Sequence, residues 1–259
     1  TQNNHMAGYS SLYYKDKEHA SVGYYKVHLE RYDIDVELTA TERVGLHKYR
    51  FPKSDQSRII IDLGEGSADR PTETYLKKIN DTLFQGHRFS SGWARDQREY
   101  FSLIISKPVD DFILYDRHKK FKGEERKGDY VKGFLEFSTK SNENIMVKMG
   151  ISTVSSKNAL ENMMIELPHW DFLTVKKDAE KKWEKELSKI KIKTDDKKKK
   201  RVFYTAMYHT MIAPNLYHDL NGEYRGTDKI VYKDSSFTNY TLFSPVSYTH
   251  LTLPTRAVV

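Results

Sequence analysis

The side chains best suited to binding a metal lie close together in the run DLNGE, from Asp219 to Glu223. Its oxygen-bearing residues Asp219, Asn221 and Glu223 resemble the ligands of a Ca²⁺-binding loop. A full EF-hand loop needs further ligands and a late glutamate, and these do not follow here. Because Asn and Gly both tolerate positive φ, Asn221-Gly222 is more simply the signature of a hairpin turn. We therefore favour a turn over a calcium site.

Three other short motifs could carry chemistry, and each has a structural explanation. His209 is a lone histidine in a helical stretch, where a structural role is the usual one. Trp93, Arg95 and Asp96 fit a loop between strands, where we expect them to pack and to form ion pairs. The run GEGS from Gly64 follows a strand but lacks the spacing of a phosphate-binding loop, so we exclude that function.

Composition excludes several classes of protein. The 259 residues include no cysteine, which rules out disulfides, thiolate metal sites and a cysteine nucleophile. Aromatic residues make up 13% of the chain, unlike a disordered protein. No apolar run is long enough to span a bilayer. Of the net charge of +7, residues 176–200 supply +6 through twelve lysines and six acids, which predicts a solvated helix and linker rather than a nucleic-acid-binding face.

The elements that must position these groups begin as β-strands. Apolar and polar residues alternate over 25–29 and 34–40, which is the period of half-buried strands. Gly45 offers a turn, after which 46–51 can run back as a hairpin that Pro52 ends. The spacing of the later segments predicts an antiparallel sandwich, with no amphipathic helix before Asn158. Further strands are predicted over 58–63, 86–89, 100–106, 112–115, 133–138 and 145–151.

The period then changes to that of a helix. Asp171 can cap a first helix. A second helix can start after Thr194, with Asp195 and Asp196 in its first turn, where carboxylates suit the helix dipole. Pro214 is expected to stop it. The predicted apolar face of the first helix is Phe172, Val175, Ala179, Trp183, Leu187 and Ile190. The predicted inner stripe of the second is Val202, Phe203, Ala206, Met207, Thr210 and Met211.

Several long phrases resemble glycoside hydrolase family 92, the calcium-dependent exo-α-mannosidases. GYYKVHLERYDIDVELTATERVGLHKYRFP resembles the family's N-terminal sandwich motif, with Val22 in place of a proline. SGWARDQREYFSLIISKP and KMGISTVSSKNALENM follow in family order, and Trp183 matches a tryptophan of the linker helix. FYTAMYHTMIAPNLYHDLNGEYRGTDKI and the later YTLFS resemble the opening of the catalytic domain. The resemblance covers roughly residues 18 to 244.

The resemblance implies a mainly β fold with α-helices, in which an N-terminal antiparallel β-sandwich and a linker helix precede the truncated start of an (α/α)6 barrel. On this basis we predict a sandwich domain over residues 1–165, the linker helix over 166–194 and the start of the catalytic domain over 195–244. Residues 245–259 form a tail that resembles translated sequencing adapter. The chain is therefore expected to be an incomplete fragment, shortened at both ends.

The activity implied is removal of terminal α-linked mannose from N-glycans or mannan, with inversion and with Ca²⁺ holding the sugar. An inverting glycosidase needs an acid and a base about 6.5–9.5 Å apart so that a water fits between them, and calcium takes oxygen ligands. The resemblance puts all of these groups downstream of this chain. We therefore expect the fragment to be inactive.

The resemblance also assigns roles to a few residues of this chain. Phe243 matches a phenylalanine at the sugar pocket and is the one substrate-binding residue predicted here. Tryptophan and aspartate should follow it, but Val246 and Ser247 stand in their places. Glu223, Arg225 and Asp228 are expected to orient the domain interface. Without its barrel, the second helix is expected to leave an apolar patch exposed.

The expected partners are mannose-containing glycans, with no nucleic acid and no membrane span. The implied location is the periplasm, the cell surface or the exterior of a bacterium. A non-catalytic carbohydrate-binding β-sandwich is the alternative function. Nucleic-acid binding through the lysines of residues 176–200 is a third possibility, which a salt-dependent DNA shift would reveal.

Overall fold

The structure is a computed structural model that describes residues 8–66 and 68–241. It divides into two compact units, Thr1–Lys181 and Lys182–Val259. Within the described residues, a 3₁₀ turn at Lys15–Lys17 precedes the strands, and the helices are α1 (Ser156–Glu166), α2 (Phe172–Leu187) and α3 (Lys197–Thr210). The strands are β1 (His19–Ser21), β2 (Tyr24–Leu29), β3 (Ile34–Ala40), β4 (Val44–Phe51), β5 (Ser54–Asp62), β6 (Arg70–Lys78), β7 (Leu83–Ser91), β8 (Gln97–Ile105), β9 (Asp111–Asp116), β10 (Lys119–Phe121), β11 (Glu125–Gly128), β12 (Val131–Thr139), β13 (Glu143–Ser152), β14 (Glu223–Arg225) and β15 (Val231–Lys233).

The first unit is the predicted antiparallel sandwich. Nine strands form one sheet in the order β1-β2-β3-β4-β13-β8-β7-β6-β11, and four form the other in the order β10-β9-β12-β5. All of their pairings are antiparallel. Between the sheets lies a core of fully buried side chains, among them Leu76, Phe84, Leu114, Leu135 and Phe137. The alternation of the strands places these residues inward and their sequence neighbours outward.

A second core lies on the other face of the nine-stranded sheet. Leu46 of β4 is buried there against Met163 of α1 and Phe172 of α2. Gly150 of β13 permits this packing, because a Cβ at that position would lie 2.3 Å from the carbonyl oxygen of Ala159. The nine-stranded sheet is therefore covered on one face by the small sheet and on part of the other by helices.

Several strand predictions need correction. Gly45 is not in a turn: it lies within β4 opposite Met149, and the turn is at residues 41–43, where Thr41 N–H donates to the carbonyl of Val44 at 2.9 Å. Pro52 ends β4 as predicted, but β5 begins at Ser54 rather than at residue 58. The sequence pattern missed β1, β6, β10 and β11, whose outward positions are polar and whose inward apolar residues are few.

The helix predictions are partly confirmed. Asp171 caps α2, since its Oδ1 accepts from the N–H groups of Leu173 and Thr174 at 3.1 Å. The apolar face is buried at Phe172, Val175 and Ala179, but α2 ends at Leu187, so the predicted Ile190 lies beyond it. The separate helix α1 was not predicted. Its cap is Ser155, whose side chain accepts from the N–H of Asn158.

The second predicted helix is α3, with two differences. Asp196 is its N-cap rather than part of its first turn, and accepts from the N–H groups of Lys198 and Lys199. The helix ends at Thr210, four residues before Pro214. No residue of α3 is buried.

The inward stripe of α3 is rotated from the predicted one. Phe203, Met207 and Met211 of the predicted stripe are half-buried, whereas Val202, Ala206 and Thr210 are exposed. Tyr204 and Tyr208, which were not predicted, are half-buried in their place. The reason is local packing within the second unit. The ring of Tyr208 contacts Trp183 with 4.9 Å between centroids, and the Tyr204 hydroxyl donates to the carbonyl of Ile190. Val202 of this stripe is exposed, and the apolar patch stays a prediction.

The lysines of α2 behave as a solvated face. Lys181 pairs with Asp178 and Lys176 with Glu180 at helical spacing, at 3.4 and 3.9 Å. In the part of the chain that the structure describes, no helix is both long and apolar enough to cross a membrane.

Candidate functional site

Four ring side chains lie together on the helix-side face of the nine-stranded sheet. They are Tyr75 of β6, His87 and Phe89 of β7, and Tyr100 of β8, and we call them the aromatic face. Tyr75, His87 and Tyr100 are direct cross-strand neighbours. Their alternation with the core residues of the same strands sends all four rings to one side.

The rings form one continuous contact. His87 stacks on Phe89 with 4.2 Å between centroids and an interplanar angle of 15°. Tyr75 also stacks on His87, with 5.4 Å between the ring centroids. Tyr100 meets both His87 and Phe89 edge-on, at 5.6 and 5.4 Å. These are the offset and edge-to-face geometries that aromatic pairs prefer.

Polar groups edge the aromatic face. His87 Nε2 lies 2.9 Å from Glu73 Oε1, and Lys127 Nζ lies 2.8 Å from Glu73 Oε2. The Arg98 guanidinium lies over the Phe89 ring at 5.2 Å. The surface therefore offers ring faces together with donors and acceptors, the combination that small-molecule sites use for contact area and orientation.

Ionisation of these groups follows from burial and pairing. Burial lowers the pKa of His87, and the bond to Glu73 opposes that shift without cancelling it. The hydrogen bond from Lys127 is the main cause that lowers the pKa of Glu73. Burial, together with donation to the Glu125 carboxylate, raises the pKa of Tyr75 to about 12. Near neutral pH the face therefore presents a neutral imidazole, a carboxylate and a phenol.

Trp93 lies in the loop of residues 92–96 that joins β7 to β8, four residues after Phe89 in the sequence. Its side chain is 80% exposed, so the packing role we expected for it is wrong. The ion-pair expectation holds for Asp96, whose Oδ1 accepts from Arg98 Nε at 3.1 Å. Arg95 is exposed. Trp93 therefore exposes its indole in the loop that follows β7, the strand that carries His87 and Phe89.

The DLNGE run is the turn that we favoured. Gly222 has φ of +83° and donates from its N–H to the carbonyl of Asp219 at 2.9 Å. Asn221 Oδ1 accepts from the N–H of Glu223 at 3.0 Å, so this side chain supports the turn. The turn precedes β14 rather than joining two strands, since the β14–β15 hairpin turns at residues 226–230.

Glu223, Arg225 and Asp228 have separate contacts within that hairpin. Glu223 faces Lys233 across the strands at 3.9 Å. Arg225 NH1 donates to the carbonyl of Lys229, and Asp228 accepts from the Tyr232 hydroxyl. These contacts hold the hairpin together.

The remaining candidates give no site. His209 is exposed at the end of α3, and its ring contacts that of Tyr208. The N–H of Gly64 donates to Asp62. The glycine spacing of this loop is not that of a phosphate-binding loop. Phe243, the predicted substrate-binding residue, lies outside the described residues, so its role stays a prediction.

In a chain without cysteine, the side chains that could hold a metal ion are those of histidine, aspartate and glutamate. Among residues 8–66 and 68–241, no group of three or more His, Asp or Glu side chains is arranged to hold a metal ion. The described residues therefore do not fit the calcium ion that the resemblance implies.

Sequence reasoning missed most of the aromatic face. Glu73, Tyr75 and Lys77 alternate with Thr74 and Leu76, which is a strand signal, but it is short and carries one apolar inward residue. Because the sequence pattern does not reveal β6, it does not predict the contact between Tyr75 and His87, which lie on different strands.

Comparison with known proteins assigns the family. The profile of the glycosyl hydrolase family 92 N-terminal domain matches residues 1–152, and that of the family's catalytic domain matches residues 158–246. No curated protein matches the chain.

Solved structures agree. The family GH92 alpha-mannosidase BT3965 from Bacteroides thetaiotaomicron superposes with a TM-score of 0.86 and 34% identity over 90% of this chain. The same protein has been solved in complex with mannoimidazole. The inverting mannosidase BT2199 from the same species gives a TM-score of 0.78 at 21% identity over 89% of this chain, a likeness of fold. The chain spans 32% and 31% of those two proteins. This chain belongs to glycosyl hydrolase family 92.

Proposed function

We propose that this chain is part of a glycoside hydrolase that removes terminal α-linked mannose from N-glycans or mannan, and that the aromatic face and Trp93 bind the glycan. Two observations carry the proposal: four rings are in contact on one face of the sheet, and Trp93 is exposed in the loop that follows the strand of His87 and Phe89. Membership of a family in which BT3965 is an alpha-mannosidase supports the choice of sugar.

The chemistry of the surface suits a sugar. A pyranose has apolar C–H faces that can lie on rings, and hydroxyls that need both donors and acceptors. Glu73 offers carboxylate oxygens, while Lys127 and Arg98 offer N–H groups at the edge of the rings. These charged groups are partly exposed and already paired, so a sugar hydroxyl can join their hydrogen bonds at low desolvation cost.

Hydrolysis belongs, in this proposal, to the whole protein. Inversion requires a carboxylic acid and a carboxylate about 6.5–9.5 Å apart, and assistance by calcium requires a set of oxygen ligands. The chain spans about a third of BT3965, and its described residues offer no metal-binding group of acids. We propose that residues 1–259 bind an α-mannoside and do not cleave it.

Two assays test the proposal separately. Isothermal titration should show that the chain binds an α-linked mannotriose, and binds a β-linked glucotriose of equal size more weakly. Equal affinities for the two sugars, or no measurable binding of the mannotriose, would contradict the proposed glycan-binding function. Release of free mannose from the mannotriose by the purified chain would contradict its inactivity. Release by the whole protein that survives a calcium chelator would contradict the role of calcium.

The proposed location is the periplasm, cell surface or exterior of a bacterium. It is supported by the family and by the bacterial source of BT3965. Fractionation of cells that make the whole protein tests it, since recovery in the cytoplasm alone would be contrary.

A further inference from the structure

Asp69 and Arg88 form an ion pair close to the Trp93 loop. Asp69 immediately precedes β6, and Arg88 of β7 also contacts the residue that follows β5. Arg88 NH1 and NH2 donate to Asp69 Oδ2 and Oδ1 at 2.6 and 3.0 Å. The Nε of Arg88 donates to the carbonyl oxygen of Leu63 at 3.1 Å. Both side chains are well shielded, with 16% and 18% of their surface exposed. One guanidinium therefore holds two backbone segments in a fixed relation.

The same region is closely packed around the pair. A Cβ on Gly66 would lie 1.9 Å from Asp69 Oδ1 and 2.3 Å from Arg88 NH2, so the backbone touches the ion pair. Ala68 has φ of +75°, which non-glycine residues rarely adopt. A residue keeps such a conformation only where its surroundings impose it. The Asp69–Arg88 pair begins at the next residue in the sequence.

Gly92 connects this pair to Trp93. A Cβ on Gly92 would lie 2.9 Å from the carbonyl oxygen of Ala68 and 2.9 Å from Asp69 Cβ, so the two backbones are in direct contact. Only glycine allows an approach this close. The N–H of Gly92 donates to the carbonyl of Ala94 at 2.9 Å, which folds the loop around Trp93. Trp93 itself has few contacts, so its direction depends on its backbone.

We infer that Asp69 and Arg88 are a positioning pair for Trp93, and that they set the strength with which the chain binds an α-mannoside. This inference rests on the proposed function. Arg88 points to the face of β7 opposite His87 and Phe89, because strand residues alternate. The pair therefore acts on the sugar through the Trp93 loop. Two parallel hydrogen bonds to one carboxylate need the planar guanidinium of arginine, so lysine cannot replace Arg88.

The first test compares affinity for an α-linked mannotriose. Asp69→Asn and Arg88→Lys should each raise Kd about two- to tenfold, in the lower part of the range for coupled residues. Asp35→Asn is the matched control, because Asp35 accepts two bonds from Arg50 across strands of the same sheet. Its Kd should stay at the wild-type value. Circular dichroism identifies any variant that fails to fold, and the other variant then serves.

A double-mutant cycle separates positioning from general weakening. If Asp69 acts through Trp93, adding Asp69→Asn to Trp93→Ala should leave Kd at the value of Trp93→Ala alone. Full additivity of the two effects, or an unchanged Kd in both single variants of the pair, would overturn the inference.

A structural readout keeps the inference testable if the chain binds no mannoside. The chain has three tryptophans, so incorporation of 5-fluorotryptophan gives three ¹⁹F resonances, and Trp93→Phe assigns one. Asp69→Asn should shift or broaden the Trp93 resonance and leave those of Trp170 and Trp183 unchanged. A Trp93 resonance identical to wild type would overturn positioning. Failure of the titrations alone would overturn only the glycan-binding function.

Discussion

Gly86 is the position at which one added methyl group should do most damage to the aromatic face. It lies in the middle of β7, opposite Leu76 of β6 and Phe101 of β8. An alanine Cβ there would lie 2.2 Å from the carbonyl oxygen of Tyr75 and 2.8 Å from the Phe101 ring. Backbone cannot move as a side chain tip can, so β6 must separate from β7 by about 1 Å, well beyond what a close-packed interior tolerates.

Overpacking of a core costs about 1–3 kcal/mol, and a clash with backbone belongs at the top of that range. We therefore predict that Gly86→Ala lowers the free energy of unfolding by about 3 kcal/mol, or Tm by about 6–12 °C in a domain of this size. Thermal unfolding followed by circular dichroism measures the shift. Tyr75 lies on β6 and His87 on β7, so separating these strands should also lower the affinity for mannotriose.

Gly45→Ala is the matched control. Gly45 is also in the interior of a strand, but the nearest atom to its Cβ would be His47 Nε2 at 3.3 Å, on a side chain that can shift. Replacing a strand glycine that has room should change stability by less than about 1 kcal/mol. Equal Tm values for the two variants would refute the reasoning from close approach.

Two further predictions concern charge. Arg43 and Glu166 form a largely buried pair at 2.7 Å, so Glu166→Gln should lower the free energy of urea unfolding by about 3 kcal/mol. The control is Glu161→Gln, which removes a half-exposed partner of Lys157 and should cost less than about 0.5 kcal/mol. Similar costs for the two variants would contradict the role of burial. Hydrogen bonding to Arg88 lowers the pKa of Asp69 to about 2. A depressed folded-state pKa gives stability that is present above the unfolded value of 3.8 and is lost as pH falls toward 2. We expect this loss to be about 1–2 kcal/mol after screening. It should be smaller in Arg88→Met, in which the hydrogen bond from Ser90 to Asp69 remains. A pH profile of stability identical to wild type in that variant would refute the prediction.

The strands with clear alternation could be predicted from the sequence, and β2, β3 and β13 are the examples. One face of each strand is apolar, and the other face is mostly polar or charged in β2 and β3, so the period of two is readable there, while β13 is recognised by its run of apolar residues. Gly45 shows the limit of glycine as a turn signal, because a glycine in a strand also marks close approach or simple absence of a side chain. The Arg43–Glu166 contact explains the true turn, and its partners are separated by more than a hundred residues.

The candidate site could not be predicted, since it depends on register between strands. Tyr75, His87 and Tyr100 become neighbours only when β6, β7 and β8 pair in one alignment, and a shift of one residue would send every ring to the other face. The sequence shows Trp93 but predicts that it packs, because tryptophan is highly buried on average. Its exposure follows from a short loop that Gly92 fixes against Ala68.

The most direct test of glycan binding is the effect of Trp93→Ala on affinity for an α-linked mannotriose. The indole is exposed, so its removal should leave Tm within the range of surface substitutions. Aromatic contact contributes about 0.5–1.5 kcal/mol, so Kd should rise about two- to tenfold. Tyr14→Ala, which removes an exposed ring from the segment before β1, should leave Kd unchanged. Unchanged affinity in Trp93→Ala, or equal losses in both variants, would contradict the account.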